Sequence, residues 1–237
     1  MYKGEAVNVI MPVYNEGTTV YNIVKRVLGQ KSVDNLIIIY DKSADNTLSE
    51  IKRALAGAGR RATLVYSNAK KGKGHAVRQG MERIKSGIVV IQDADDEYYP
   101  EDYGKMFASL TYKNPVFGYR KINSGHKYLL GELATQVHTL AFNLLYGQKL
   151  KDINAAYKIF KLDMLHGEKL KQDGWELDPE IAVKLAKNGY LIRSVSIRYK
   201  GRTFSEGKKI GASGAVGILV YIRLSTDFCP RTRFTIL

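Results

Sequence analysis

The sequence predicts an α/β fold in which helices cover a mostly parallel central sheet. Short apolar runs alternate with helix-length segments through the first half of the chain, which is the rhythm of successive strand and helix units. The 237 residues, 45% of them hydrophobic, are enough for one sizeable core, in a single domain or a domain with a subdomain. The predicted strands cover residues 7–11, 36–40, 62–66, 88–91 and 116–119.

Polar residues follow the first three predicted strands, at 12–17, 41–47 and 68–74. Thr18 is the predicted cap of the first helix, and the third loop opens a helix whose first amides are expected to meet an anion. Because the carboxyl ends of parallel strands share one edge of a sheet, these loops should converge there. The glycine-lysine loop at 72–74 matches neither the phosphate loop nor the dinucleotide fingerprint, so neither class of protein is predicted.

The fourth predicted strand ends in an acidic tip, which reads Gln92-Asp93-Ala94-Asp95-Asp96-Glu97. Four carboxylates this close repel one another unless a cation neutralises them. Oxygen ligands suit Mg²⁺ or Mn²⁺, so the tip predicts a divalent-metal site for a phosphorylated ligand. A solvated acidic turn is the alternative, and the tip alone does not decide between the two.

The charge of the chain predicts a polyanionic partner, because 37 Lys+Arg stand against 23 Asp+Glu and the formal net charge is +14. Nucleic acid, an anionic membrane surface and a phosphate-bearing substrate all fit this charge. The sequence has no helix-turn-helix, RRM or zinc pattern, and the acidic tip would repel DNA, so nucleic acid is not the predicted partner. The single cysteine, Cys229, rules out an internal disulfide and fits a reducing, cytoplasmic setting.

Two apolar segments bear on membrane contact, although no uncharged stretch approaches the roughly 20 residues of a membrane span. Segment 211–222 fits either a buried terminal helix, which is favoured, or a helix on a membrane surface. In segment 130–145, core packing is the favoured interpretation and contact with a bilayer, aided by basic residues, is the alternative. Its apolar face comprises Leu130, Leu133, Ala134, Val137, Leu140, Ala141, Leu144 and Leu145, and the basic residues include Arg198, Lys200, Lys208, Lys209 and Arg223.

Four motifs in fixed order carry a resemblance to a known family. They are PVYNE at 12–16, DxSxDxT at 41–47, NxxKGKGxAxxxG at 68–80 and QDADDEYYPED at 92–102. The ordered set resembles the family 2 inverting glycosyltransferases with the GT-A fold. The resemblance extends over about residues 5 to 211 and includes segments 151–160, 176–181 and 199–210. These segments are most similar to the branch of the family that transfers sugars to polyprenyl phosphates, of the dolichol-phosphate mannosyltransferase type.

The resemblance implies a domain organisation and a donor site. It implies a GT-A catalytic domain at 1–211, with a donor half at about 1–120 and a smaller acceptor half at about 121–211, and an amphipathic tail at 212–237. The donor would be a nucleotide sugar of the GDP-mannose or UDP-glucose type. The base and ribose pocket would be lined by Pro12, Tyr14, Glu16 and Asp41, with Gly72, Lys73 and Gly74 closing beside it.

The resemblance also implies the groups that hold the metal and the phosphates. Asp93 and Asp95 would form the DxD pair, with Asp95 on the metal, Asp93 toward the ribose or the metal, and Glu97 as a third ligand. The metal would be Mg²⁺ or Mn²⁺. The phosphates would be bound by Arg120, Arg202 and Lys208.

The acceptor is left with two possibilities. A polyprenyl phosphate is already an anion near neutral pH, so transfer to it needs no strong general base and the cations mainly bring two anions together. A glycan or another hydroxyl acceptor would need a base, for which Asp152 and the acids at 176–180 are the candidates. The lipid acceptor is favoured, with the enzyme peripheral on the cytoplasmic face of a membrane. A catalytically silent, glycosyltransferase-like scaffold is the third hypothesis.

Two departures from the family pattern stand in the sequence. The family often has two adjacent acids at the end of the second strand, whereas Tyr40 precedes Asp41 here, so the base preference stays open. The lipid-phosphate branch commonly has an arginine early in the helix after the fifth strand, and segment 128–135 has none. Lys127, His126 or His138 are the candidate substitutes, although a lone histidine beside an amphipathic helix is more often structural.

Overall fold

A computed structural model describes residues 1–67, 72–121, 129–202, 218, 221 and 222. The predicted strands are all present in it, and two more follow in the second half of the chain. The strands are β1 Val7–Val13, β2 Asn35–Tyr40, β3 Ala62–Tyr66, β4 Ile88–Ile91, β5 Val116–Arg120, β6 Lys158–Lys161 and β7 Arg193–Ile197. The helices are α1 Val20–Leu28, α2 Thr47–Leu55, α3 Lys73–Met81, α4 Tyr103–Ser109, α5 Leu129–Tyr146 and α6 Leu177–Lys187.

The strands form one seven-stranded sheet in the order β3-β2-β1-β4-β6-β5-β7. Every pairing is parallel except the two that β6 makes, with β4 and with β5. The predicted mostly parallel sheet is therefore confirmed. Because β6 lies between β4 and β5, the two predicted halves of the domain share this sheet.

The two faces of the sheet are covered by different helices. Along β1, Val9 and Met11 point into the core with α1, α2 and α4, and Ile10 points into the core with α3, α5 and α6. Successive side chains of β1 point to opposite faces of the sheet because a strand has a period of two residues. Both faces are buried, which is why the central strands are nearly continuous apolar runs rather than alternating ones.

Two boundaries differ from the prediction. The first strand was predicted to end at residue 11, but the parallel ladder continues because Pro12 and Val13 pair with Ile39 and Tyr40 of β2. Thr18 was predicted as the cap of α1, but that position is occupied by Thr19, which makes no side-chain cap bond. Its hydroxyl is used elsewhere, as a donor to the carbonyl of Ala94 in the acidic tip at 2.9 Å.

The favoured core-packing interpretation of segment 130–145 is wrong for five of its apolar residues. The exposed ones are Leu133, Val137, Leu140, Leu144 and Leu145, and the side chain of Leu130 lies outside the described ones. The face of α5 that is buried contains His138, Thr139 and Phe142. The polar groups on the buried face are satisfied, since Thr139 Oγ1 accepts from the N–H of Ile153 at 3.2 Å and His138 Nδ1 lies 3.0 Å from Asn154 Nδ2.

The described part of segment 211–222 agrees with a buried terminal helix. Ile218 and Ile222 are buried in the same core cluster as Phe142 of α5. Tyr146 also donates a hydrogen bond to the carbonyl of Ile222 at 3.4 Å. In the described ranges, no helix is both long and apolar enough to cross a membrane.

Candidate active site at the carboxyl edge of the sheet

The loops after β1 and β2 are joined by hydrogen bonds at the carboxyl edge of the sheet. The N–H of Glu16 donates to Thr47 Oγ1 at 2.8 Å, and the N–H of Gly17 donates to Asp45 Oδ2 at 3.0 Å. The loops approach closely enough that a Cβ on Gly17 would lie 2.0 Å from Oδ1 of Asn46, whose side chain would have to move. The predicted convergence is therefore confirmed for these two loops, and residues 68–71 of the third loop lie outside the described residues.

Asp41 directly follows β2 and has a buried carboxylate. The residue is 5% exposed, and its Oδ1 has no hydrogen-bond partner. A buried polar atom without a partner is costly, so such atoms in a native site usually await a ligand or water. Pro12 and Tyr14, which the resemblance places in the same pocket, are half-buried at the end of β1 and just beyond it.

The acidic tip separates into groups with different partners. Asp96 has a positive φ of 58° and forms an ion pair with Arg26 of α1, so it turns away from the other acids. Burial, and then the nearby carboxylates of Asp93 and Glu97, raise the pKa of Asp95 well above its ordinary value. A cation beside Asp95 would favour its ionised form.

Arg202 provides positive charge at the tip. Its guanidinium donates two hydrogen bonds to Glu16, at 2.8 and 3.2 Å, and Nη2 lies 3.4 Å from Asp95 Oδ2. Its backbone N–H donates to Glu97 Oε1 at 2.7 Å. Burial works against the charged form, but Glu16 and the nearby acids outweigh it and raise the pKa of Arg202. Nε of Arg202 is buried without a hydrogen-bond partner.

The segment that carries Arg202 is fixed to the acidic tip by backbone contacts. Tyr98 and Tyr199 form an antiparallel bridge, and the N–H of Lys200 donates to the carbonyl of Glu97 at 2.9 Å. The hydroxyl of Tyr199 donates to Glu97 Oε2 at 2.6 Å. Glu97 therefore orients the segment 199–202, and its side chain is already engaged there.

A second cluster of buried charges links Asp93 to the core. Nζ of Lys73 lies 2.9 Å from Asp93 Oδ1 and 3.3 Å from Asp178 Oδ2. The other oxygen of Asp178 is 2.8 Å from Nζ of Lys158, whose side chain is fully buried. We name this alternating set the buried charge chain: Asp93, Lys73, Asp178 and Lys158.

The pKa shifts in the buried charge chain follow from burial and from the opposite charges. Burial lowers the pKa of Lys158, although Asp178 opposes the shift. Burial alone would raise the pKa of Asp178, but Lys158 and Lys73 outweigh it and the net direction is down. Sequence reasoning missed Lys158 and the pairing role of Asp178. The only signal for Lys158 was a charged residue within the otherwise apolar run 155–160.

Arg120 and Asp152 form a buried ion pair at the end of β5. Nε and Nη2 of Arg120 donate to the two oxygens of Asp152 at 2.7 and 3.0 Å. The guanidinium also lies 5.1 Å from the ring centre of Tyr199, which places the pair beside the segment of Arg202. Burial opposes the charge of Arg120, but Asp152 outweighs it and raises the pKa.

The amides at the start of α3 are engaged, contrary to the expectation that they meet an anion. The N–H groups of Gly74 and His75 both donate to the carbonyl of Asp173, at 2.8 and 3.3 Å. The contact is close enough that a Cβ on Gly74 would lie 2.1 Å from the carbonyl oxygen of Gln172. Gly72 has a φ of 106°, a backbone conformation that favours glycine. The functional group that this loop presents to Asp93 is thus the ammonium of Lys73.

Asp93, Asp95 and Glu97 are the predicted ligands of Mg²⁺ or Mn²⁺. In the part of the chain that the structure describes, no three His, Cys, Asp or Glu side chains form a group that could hold a metal. Asp93 and Asp95 still fit, since Mg²⁺ is usually bound by one or two carboxylates together with phosphate oxygens and waters. Glu97 as a third ligand stays a prediction.

Some predicted residues lie outside this geometry. Lys208, residues 68–71, and His126 with Lys127 fall outside the described residues. His138 is buried against Asn154, as expected of a structural histidine. A cavity of about 920 Å³ lies elsewhere, between α3, the residues before β1 and those after β6, and none of the predicted site residues line it. The candidate site is therefore assigned from converging side chains rather than from cavity size.

Comparisons with known proteins agree with the motifs. A family model described as glycosyl transferase family 2 matches residues 8–171. Glycosyltransferase AglJ of Haloferax volcanii is 29% identical over 202 residues, which cover 84% of this chain and 64% of that protein. The UDP-N-acetylglucosamine–dolichyl-phosphate N-acetylglucosaminyltransferase of Methanococcus voltae is 25% identical over 237 residues, covering 91% of this chain and 93% of that protein.

A solved structure has the same fold. The crystal structure of glucosyl-3-phosphoglycerate synthase from Mycobacterium tuberculosis, in complex with Mg²⁺ and uridine diphosphate, matches with a TM-score of 0.73 and 16% sequence identity. The match covers 94% of this chain and 80% of that chain. At this identity the similarity concerns the fold alone.

Proposed function

The chain belongs to glycosyl transferase family 2 and is a glycosyltransferase, and from this premise we propose that it moves a hexose from a nucleotide sugar to a polyprenyl phosphate, with inversion at the anomeric carbon. The GT-A fold that the resemblance implied is confirmed by the sheet and by the structural match. The relative from Methanococcus voltae is named for transfer to dolichyl phosphate, which supports a lipid-phosphate acceptor here. A silent scaffold would have no need of Asp93, Asp95, Arg120 and Arg202 together, so their presence gives that hypothesis no support.

The observation that carries the choice of acceptor is the state of the acids that a hydroxyl acceptor would need. Asp152 accepts two hydrogen bonds from Arg120. Asp178 is held by two lysines, and its lowered pKa makes it a weaker base. Glu180 is buried and accepts three backbone hydrogen bonds from Lys171 and Gln172. Glu176, the remaining candidate, is half-buried at the N-cap of α6. Three of the four candidate bases are thus held by other groups, and an acceptor that is already an anion needs no base, so a phosphate suits this site better than a hydroxyl.

The donor half of the proposal is supported by two buried atoms that lack hydrogen-bond partners. Oδ1 of Asp41 is an acceptor, and a nucleotide base or ribose offers N–H and O–H donors for it. Nε of Arg202 is a donor that lies 3.5 Å from Oε1 of Glu97 without a hydrogen bond, and a diphosphate offers oxygen acceptors. Lys73, beside Asp93, adds a fixed positive charge at the same edge.

The transfer step then follows from the positions of the charges. An oxygen of the acceptor phosphate attacks the anomeric carbon, the bond from that carbon to the donor diphosphate breaks, and the nucleoside diphosphate leaves with the electron pair. Asp93 and Asp95 would hold Mg²⁺ or Mn²⁺, which when bound neutralises charge that develops on the leaving diphosphate. Arg202, 3.4 Å from Asp95, would stabilise the same developing charge, and Arg120 would bind the incoming phosphate.

The location of the enzyme is part of the same proposal. A polyprenyl chain resides in a bilayer, so the protein would work as a peripheral protein, on the cytoplasmic face that the sequence predicts. The basic balance of the chain, +14, suits a surface of anionic lipid.

The experiment measures sugar transfer by the purified chain with Mg²⁺ or Mn²⁺. UDP-glucose, UDP-N-acetylglucosamine and GDP-mannose are compared, each with and without a short polyprenyl phosphate. We expect a lipid-linked sugar from one donor, which requires metal, disappears in Asp95→Ala and persists in Asp96→Ala. Asp96 is the matched control because it is adjacent in sequence but pairs with Arg26. If the donor binds but no sugar is transferred to the lipid, the assignment of a polyprenyl phosphate as the acceptor is wrong.

A further inference from the structure

The solvent side of α5 carries an apolar stripe, comprising Leu133, Val137, Leu140 and Leu144. These side chains are 56, 52, 60 and 67% exposed. Their spacing of four, three and four residues places them on one face of the 18-residue helix, so they form a continuous line along it. Large apolar patches on a soluble protein usually mark a surface that contacts a partner.

The described residues that flank α5 in sequence include exposed lysines. The only charged residue in the α5 sequence is Glu132, which is less exposed than the stripe. Exposed lysines flank the helix, with Lys121 before it and Lys149 and Lys151 after it. An apolar helix face flanked by exposed cations is the arrangement that binds the interface of an anionic bilayer.

The α5 stripe lies one helix thickness from the acceptor side of the candidate site. On the buried side of α5, Thr135 accepts a hydrogen bond from Asn154 at 3.2 Å. Asn154 in turn donates its N–H to Asp152, the partner of Arg120, at 3.1 Å. Because a helix is about 10 Å wide, a surface seated on the α5 stripe would be close to Arg120.

We propose that the α5 stripe docks on the surface of an anionic lipid bilayer and so presents the lipid-borne acceptor to the Arg120 side of the site. The proposal rests on the proposed function and adds the surface through which it acts. A second copy of the chain fits less well, since four side chains on one helix are few against the roughly 20–30 residues that each partner contributes to a standard interface.

The test measures binding of the full chain to vesicles by flotation. Phosphatidylcholine vesicles with and without phosphatidylglycerol are compared for wild type and for the double variant Leu140→Gln, Leu144→Gln. We expect wild type to bind the anionic vesicles, and the double variant to bind them at least about ten-fold less, because each leucine side chain loses its burial in lipid. Leu191→Gln is the matched control, since Leu191 is 62% exposed in the loop between α6 and β7 and should bind like wild type.

Two further measurements separate the possible failures. Transfer to a short, water-soluble prenyl phosphate should be unchanged in the double variant, and transfer to a long-chain acceptor in vesicles should fall. Equal vesicle binding by wild type and double variant would overturn the docking surface, as would a wild-type dimer that the variant dissociates in sedimentation. If wild type instead binds vesicles through the α5 stripe but transfers sugar to no prenyl phosphate, that result would support the docking surface and overturn the proposed function.

Discussion

Arg202 is the residue on which the acidic tip depends in the free protein. Its guanidinium contacts Glu16, Asp95 and Glu97, three acids that would otherwise repel one another. A ligand diphosphate would compete for the same guanidinium, and its Nε is still without a hydrogen-bond partner. Arg202 therefore serves the free site as a counter-charge and is positioned to serve the leaving group during transfer.

Arg202→Gln should reduce transfer more than donor binding. We expect the rate constant for transfer to fall by about 10²–10³, as when one preorganised donor to a developing charge is removed. The donor Kd should change by less than about ten-fold, because Lys73 and the metal still hold the diphosphate. Single-turnover transfer and calorimetric titration of the donor measure the two quantities. Equal losses would mean that Arg202 only holds the donor. Arg198→Gln is the control, since Arg198 pairs with Asp102 at 2.8 Å and is half exposed.

Asp41→Ala should weaken donor binding without weakening the fold. Because Oδ1 of Asp41 is buried without a partner in the free protein, its removal leaves no other group unsatisfied. The donor would lose a charged hydrogen bond, so we expect its Kd to rise by roughly ten-fold or more. Donor titration and thermal unfolding together check this, with exposed Lys42→Ala as the control. An unchanged Kd would remove Asp41 from the pocket.

At the scale of elements, the buried charge chain joins α3, β6 and α6 beneath the site. Lys73 begins α3, Lys158 begins β6 and Asp178 lies in the first turn of α6. Each buried charge has an opposite charge within 3.3 Å. The position of Asp93 is therefore set by packing between elements that are distant in sequence.

Lys158→Met should destabilise the protein and loosen Asp93. Removing one partner leaves Asp178 with Lys73 alone in a buried setting, and breaking a buried pair typically costs about 3 kcal/mol or more. Urea unfolding measures the loss of stability. The control is Lys161→Met on the same strand, where the pair with Glu5 is partly exposed and should contribute about 1 kcal/mol or less. Comparable, small losses in both variants would contradict the buried role of Lys158.

The contribution of Asp178 should depend on pH. Its pKa in the folded protein lies below the ordinary value of 3.8, so the unfolded chain takes up the proton first as the pH falls. The stability advantage of wild type over Asp178→Asn is therefore full at pH 7 and is lost progressively below pH 3.8. Urea unfolding of both proteins on either side of that pH measures it. An advantage that stays constant through this range would show that the carboxylate charge is not what stabilises the fold.

For the whole molecule, much of the sheet edge could be predicted from local patterns. Apolar runs located β1 to β5, and the acids at 93–97 located the tip, because each signal lies within a few residues. The partners of the tip could not be predicted in the same way. Arg202 reaches Glu97 through the bridge between Tyr98 and Tyr199, a contact about a hundred residues apart that no local pattern contains.

The exposed face of α5 shows a second limit of prediction at this scale. Periodicity identified apolar residues from Leu133 to Leu144, but their spacing is the same whether the core or another surface covers them. The packing of α5 decides which of its faces is buried. The segment at 152–154 needs polar partners, and His138 and Thr139 on the buried face form hydrogen bonds with it. The loop before α3 was predicted to use free amides for a similar reason, since nothing local revealed that the Asp173 carbonyl accepts them.

The measurement that tests the central claim most directly compares a short polyprenyl phosphate with the polyprenol of the same chain length. Both are given to the purified chain with metal and the preferred nucleotide sugar, and the lipid-linked product is quantified. We expect transfer to the phosphate and none to the alcohol, because three of the four candidate bases, Asp152, Asp178 and Glu180, are held by other groups. Transfer to the alcohol at a comparable rate would show that a general base operates in this site and would contradict the claim.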